Sequence, residues 1–288
     1  MRAGVLRSMM IGFKNLIGNW KLLFGFYVFN FIFAAILTLP FISIFANDIS
    51  RSLTGRDLLF GFNNEWLVEF VGYNGNYFKS LLPQVILIIV IYILVEVFFS
   101  GGFYSSYSRV EGIHSNKDRI KFGEFLERGS SFFFPLLFIA GIESTILFLL
   151  YIGINHYLSM TGFQIIGIIL FMAVNLFSDF IRTAIVIDKD GFWKKVYRGL
   201  SFTVHHLLST IEVYACCLLI GAVVTASYLL FRLTDDSTTS QGIFNEMLVS
   251  QIFILLRIFS KLNFYAMEAA LYKENQIEVI KVKPEMLE

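Results

Sequence analysis

Six residues able to carry charge or strong hydrogen bonds stand inside runs otherwise suited to hydrocarbon: Asn30, Glu96, Glu143, Asn175, Glu212 and Arg257. A charged side chain at the centre of a spanning helix costs about 2.5–3.5 kcal/mol, so such groups turn toward a bundle interior or a water-filled cavity. Their placement is ordered. Asn30 lies 12 residues after Gly18, Glu143 lies 14 after Gly129, and Glu212 lies 13 after Gly199. Glu96 precedes Ser100 by four residues, while Asn175 and Arg257 precede Ser178 and Ser260 by three. Each apolar run thus carries one strongly polar group at a comparable depth. One chemistry for such a set is a buried polar centre that binds a headgroup, an ion or a proton. Glu96 and Arg257 sit at matching levels and would neutralise each other, whereas Glu143 and Glu212 have no cation at that depth. The other chemistry is hydrogen-bond glue between helices, worth ~0.6–2 kcal/mol per contact, with one Glu free to face a partner subunit.

The elements that hold these residues are predicted to be spanning helices. Of 288 residues, 56% are hydrophobic and 16% charged, against roughly 25% charged in a soluble domain. Crossing ~30 Å of hydrocarbon takes about 20 mostly apolar residues. Six segments meet that need: about 22–46, 82–107, 132–154, 163–187, 204–231 and 243–271. They are too long for transmembrane strands of about 9–11 residues. The expected fold is therefore an all-α integral membrane protein, one polytopic domain over 1–272 with a cytoplasmic tail at 273–288. Lys and Arg flanking the spans set the orientation. Fourteen fall on one side, among them Arg109, Arg128, Arg182 and Arg198, against four on the other, Arg51, Arg56, Lys79 and Arg232. This predicts both termini in the cytoplasm of a bacterial inner membrane. Residues 1–21 do not read as a signal peptide, because Arg7, Lys14 and Lys21 interrupt the apolar residues. The sizeable outer segment is about 47–81.

A threefold internal pattern accompanies the spans. A short amphipathic stretch ending near a glycine precedes each odd span: Phe13 to Gly18, Phe125 to Gly129, and Trp193 to Gly199. In the first, Val5, Met9, Phe13, Leu16 and Trp20 recur at helical steps and predict one apolar face lying along the membrane interface. Before the third, Asp190 is placed as a helix N-cap. The even spans end alike, in Phe99-Ser100 with Tyr104, Phe177-Ser178 with Arg182, and Phe259-Ser260 with Tyr265. The predicted unit is an interfacial elbow helix plus a transmembrane hairpin, used three times. This layout, with Asp188-Lys189-Asp190-Gly191-Phe192-Trp193 followed by Ser201 and His205, resembles bacterial six-span membrane families of unknown function. Among them is domain of unknown function 4013, which is similar to the membrane domain attached to some glycerophosphodiester phosphodiesterases. The phosphodiesterase domain has no counterpart here, so the resemblance implies a membrane fold and no catalytic residues.

Nearer the span ends, Asp179 and Arg182 are spaced as an intrahelical pair, and Lys261 and Glu268 share a helix face. Adjacent Cys216 and Cys217 point in different directions, so they are not expected to bridge. His114, His156, His205 and His206 lack the companions of a metal site. No phosphate-binding glycine loop, paired-His zinc motif or Gly-x-Ser-x-Gly elbow is present. No enzyme activity, cofactor or metal is expected, and a net charge of +1 provides no nucleic-acid surface. The tail could add a short strand to a partner or stay mobile. Of three functions, an enzyme acting on lipid is the weakest, and two others stand ahead of it. One is a non-catalytic membrane subunit or scaffold whose partners are lipids and a membrane protein. The other is a transporter or lipid-handling protein binding a small ligand or headgroup at the polar centre, a use for which internal repeats have precedent.

Overall fold

The computed structural model describes residues 3–51, 68, 72–109, 121–157, 161–234 and 240–285. Eight helices and no strands are present among them. They are α1 (Ala3–Gly18), α2 (Trp20–Arg51), α3 (Gly75–Arg109), α4 (Phe122–Tyr157), α5 (Thr161–Ile187), α6 (Phe192–His205), α7 (Leu207–Thr234) and α8 (Ser240–Glu285). Helices α2, α3, α4, α5, α7 and α8 each contain a stretch long and apolar enough to cross a membrane. The chain is therefore an all-α membrane protein of six candidate spans. Most of the outer segment expected at 47–81, and the loop carrying His114, fall outside the described residues.

Apolar composition explains why these helices expose so much of themselves. Only 6% of the most apolar stretch of α3 is buried inside the protein, and 33% of that of α5. Their remaining side chains suit a surrounding as apolar as they are. Length is the second feature. At 1.5 Å per residue, the 36 residues of α4 reach ~54 Å and the 46 of α8 ~69 Å, well beyond ~30 Å of hydrocarbon. Pro40, Pro83 and Pro135 each remove one backbone bond, yet α2, α3 and α4 run through them unbroken.

Contacts divide the chain into two units. One comprises Met1–Trp20, Val95–Ile220 and Ser260–Glu288; the other comprises Lys21–Leu94 and Gly221–Phe259. The first has an apolar core of Val5, Phe180, Ala184, Val213, Met267, Leu271 and Tyr272, with Phe202 and Phe264 packed against it. The second is joined by aromatic contacts, with Tyr92 5.9 Å from Phe29 and 5.6 Å from Phe33. It also has small polar pairs between helices. Tyr92 donates to Asn30 at 2.8 Å, and Tyr27 donates to Gln251 at 2.6 Å.

Two of the three expected elbows are separate helices. A single residue, Asn19, joins α1 to α2, and His206 joins α6 to α7. The middle one is not separate: residues 122–129 run straight into the third span as part of α4. The apolar face predicted for α1 also divides in two. Val5 and Leu16 are buried, beside Ser8, Gly12 and Asn15, while Leu6, Met10, Phe13 and Ile17 form an exposed stripe, and Trp20, exposed too, falls on α2. Helix α6 repeats this, with Gly199 and Thr203 buried and Trp193, Tyr197, Leu200 and Val204 exposed. Its N-cap is Gly191, without a side-chain cap. Asp190 pairs with Lys194 and Arg198 instead, because two cations one and two turns along the helix outbid a backbone N–H. The tail also departs from expectation, since helix α8 continues to Glu285. Its start is anchored: Lys273 donates to the Ser108 carbonyl at 2.7 Å, and Glu274 meets Ser8 at 3.1 Å and Arg7 at 3.3 Å.

Glycine permits the closest helix approaches. A Cβ on Gly199 would lie 2.7 Å from the Ile181 Cα and 3.0 Å from the Phe180 carbonyl oxygen, whereas one on Gly141 would meet nothing within 4 Å. Backbone cannot yield as a side-chain tip can, so Gly199→Ala should cost about 1–3 kcal/mol. That exceeds the ~1 kcal/mol that alanine contributes in a helix. Thermal unfolding in detergent, followed by tryptophan fluorescence, should show a lower midpoint for Gly199→Ala and an unchanged or higher one for Gly141→Ala.

Candidate functional site, a buried polar hub

The first unit contains a connected set of charged and phenolic side chains drawn from α3, α4, α5, α7 and α8. Its centre is Arg182. An Arg at this point of α5 follows Asp179 by three residues, so the two share a helix face and meet at 3.4 Å. The same guanidinium reaches across to Glu143 of α4, in direct contact through its second terminal nitrogen. Glu143 also accepts a bond from Ser178 at 2.7 Å. Asp179 in turn accepts from the Tyr214 hydroxyl of α7. One fork-shaped cation therefore holds two carboxylates, a use for which five fixed donors suit Arg better than Lys.

A second group joins α3 to α8. Lys261 contacts Glu96, and Tyr104 donates to Glu268 at 2.8 Å. Lys261 and Glu268 are seven residues apart, and their partners are eight apart, as two neighbouring helices running in the same direction require. The Tyr104 and Tyr265 rings lie 4.8 Å apart. The two groups sense each other, since Asp179 and Arg182 act electrostatically on Tyr104, Tyr265 and Glu268. Glu143, Ser178 and Glu268 are buried, Glu268 completely. The flank of this unit carries a further cluster, in which Tyr272 donates to Asp188 at 2.9 Å and Arg198 lies 3.8 Å from the same carboxylate.

Of the six residues singled out from sequence, Glu96 and Glu143 belong to the hub. Both have cations, and neither was the one read from sequence. Lys261 faces Glu96 where Arg257 was expected, and Arg257 is exposed and belongs to the other unit. Glu143, expected to lack a cation, has Arg182. Asn175 returns its amide to its own helix at the Phe171 carbonyl, 2.7 Å away. Asn30 does likewise at Phe26 while accepting from Tyr92. Glu212 is half-buried in the first unit. Missed in sequence were Tyr104, Tyr214, Tyr265 and Glu268 as hub members, and the reach of Arg182 beyond its own helix. The available signal was a tyrosine in an apolar run, whose hydroxyl needs a partner once buried. Arg182 was also counted among flanking cations, yet it lies within α5; the charge asymmetry survives its removal. No protein-family model, curated protein or solved structure matches this chain.

Glu143→Gln should leave the protein inserted and folded, because Arg182 keeps Asp179 and the amide can still accept from Ser178. Arg182→Gln strips both carboxylates of their cation and should cost about 3–5 kcal/mol, the range for breaking a buried pair. Size-exclusion chromatography and thermal unfolding would check the ranking. An aggregated Glu143→Gln beside an intact Arg182→Gln would reverse the roles assigned here.

Proposed function

We propose that this chain is a non-catalytic integral membrane protein, a subunit or scaffold that associates with other membrane components. The observation that carries this reading is the internal pairing of the hub. Arg182 joins α5 to α4, Tyr214 joins α7 to α5, and Lys261 and Tyr104 join α8 to α3. These groups tie α4, α5 and α7 into one set and α3 and α8 into another, which is what interhelical polar contacts do in a bundle. The exposed apolar stripes support the same reading. On α1 and α6 they are flanked by Arg7, Lys14, Lys194 and Arg198. Such helices suit the headgroup boundary, with Trp193 and Tyr197 at a depth their amphipathic rings prefer. In this reading both termini and both short helices face the cytoplasm, and the membrane is the bacterial inner membrane. A second reading, a transporter or lipid-handling protein, is favoured by one specific observation, the fully buried Glu268 with an unpartnered oxygen.

Purification from native membranes in gentle detergent, followed by mass spectrometry of proteins and lipids, should recover a stoichiometric protein partner. A lone protein retaining one small molecule would instead favour the second reading. Reporter fusions at either end should be active only on the cytoplasmic side; an external signal from either would overturn the orientation.

A further inference from the structure

We propose that Glu268 and the groups around it form an exchangeable site for one small monovalent cation, a proton or Na+. This goes beyond the scaffold reading and does not rest on it, since a scaffold and a transporter can both carry such a site. Glu268 is completely buried. Its Oε2 accepts the Tyr104 hydroxyl, while its Oε1 has no hydrogen-bond partner among the described residues. A buried carboxylate oxygen is ordinarily satisfied, so this one is available to a ligand from outside the chain.

The surroundings set the sign of that ligand. The groups that act on Glu268, or that it acts on, are Tyr104 from α3, Asp179 and Arg182 from α5, Tyr214 and Cys217 from α7, and Tyr265 on its own helix. Arg182 is the one cation of this set, and Glu143 and Asp179 already share it. Across the hub, four carboxylates (Glu96, Glu143, Asp179 and Glu268) face two cations, Arg182 and Lys261. Anions withdrawn from water are costly unless each is matched. The surplus acid groups therefore call for positive charge that these side chains do not bring. Size follows from the ligands. A hard divalent ion takes six or more oxygens, several of them carboxylate. No group of three or more His, Cys, Asp or Glu among the described residues is placed to hold a metal ion. A proton needs one acceptor oxygen. A Na+ ion needs several oxygens; the Glu268 carboxylate and the Tyr104 hydroxyl supply part of such a set, and water entering with the ion would complete it. Buried carboxylates in membrane bundles serve this role in proton relays.

The test is infrared difference spectroscopy on the full chain in detergent, with two separate steps. The first changes pH in Na+-free choline buffer; the second exchanges choline for Na+ at fixed pH. The expected result is a carboxyl-band change in one of the two steps that is lost in Glu268→Gln. Response to pH alone identifies a proton, and response to Na+ at fixed pH identifies Na+. Should Glu268→Gln fail to fold, Tyr104→Phe keeps the carboxyl and removes its hydrogen bond, so the same band should shift in frequency. A wild-type protein silent in both steps overturns the proposal. So does a band that persists in Glu268→Gln, or one that Tyr104→Phe leaves in place.

Discussion

Charge withdrawn from water must be matched, and in this protein Arg182 does most of the matching. Its guanidinium carries one positive charge and two forks of donors, and it faces carboxylates from its own helix and from α4. At an effective dielectric near 20, unit charges 4 Å apart interact by ~4 kcal/mol, four times the value in bulk water. A single well-placed cation can therefore fix the rotation of two helices about their axes. The tyrosines extend this order outward. Tyr214 brings α7 to Asp179, and Tyr104 brings α3 to Glu268. Apolar packing around Phe180, Val213 and Met267 brings the helices together, and close approaches such as that of Gly199 to α5 narrow their rotation. The polar contacts supply the register.

The spans were legible because the bilayer imposes a length and a composition that few other structures satisfy. All six expected segments fall on long helices, and the all-α architecture follows. The depth pattern of polar residues was legible in part. Glu96 and Glu143 were found because a carboxylate in an apolar run is costly wherever it points. Their partners were not, because pairing depends on helix rotation and neighbour identity, which one sequence does not encode locally. Arg182 and Lys261 lie where a run turns polar. There the sequence alone suggests an interface rather than an interior, and the extra length of the helices moves that boundary.

The short helices teach a related lesson. Helical spacing in α1 marked Val5, Met9, Phe13, Leu16 and Trp20 as one face. The structure sends part of that set inward and part outward, because a helix between a protein core and an apolar surrounding has two apolar sides. Asp190 shows the same competition on a smaller scale. A residue well placed to cap α6 pairs with Lys194 and Arg198 instead, since charged partners were within reach.

The pairing of α3 with α8 has a consequence for biogenesis. Lys261 follows Glu96 by 165 residues, and Glu268 follows Tyr104 by 164. Arg182, by contrast, follows Glu143 by 39. At ~5–20 residues per second, the pair between α4 and α5 can close within about 2–8 s of its first member leaving the ribosome. Glu96 waits about 8–33 s for its cation. During that interval a carboxylate in the second span has no finished bundle to enter. The nascent chain must keep it in water, at the lipid boundary, or in the care of the insertion machinery. The order of the helices along the chain therefore places the greatest demand on the cell early in synthesis, at α3, and relieves it only when the last span arrives.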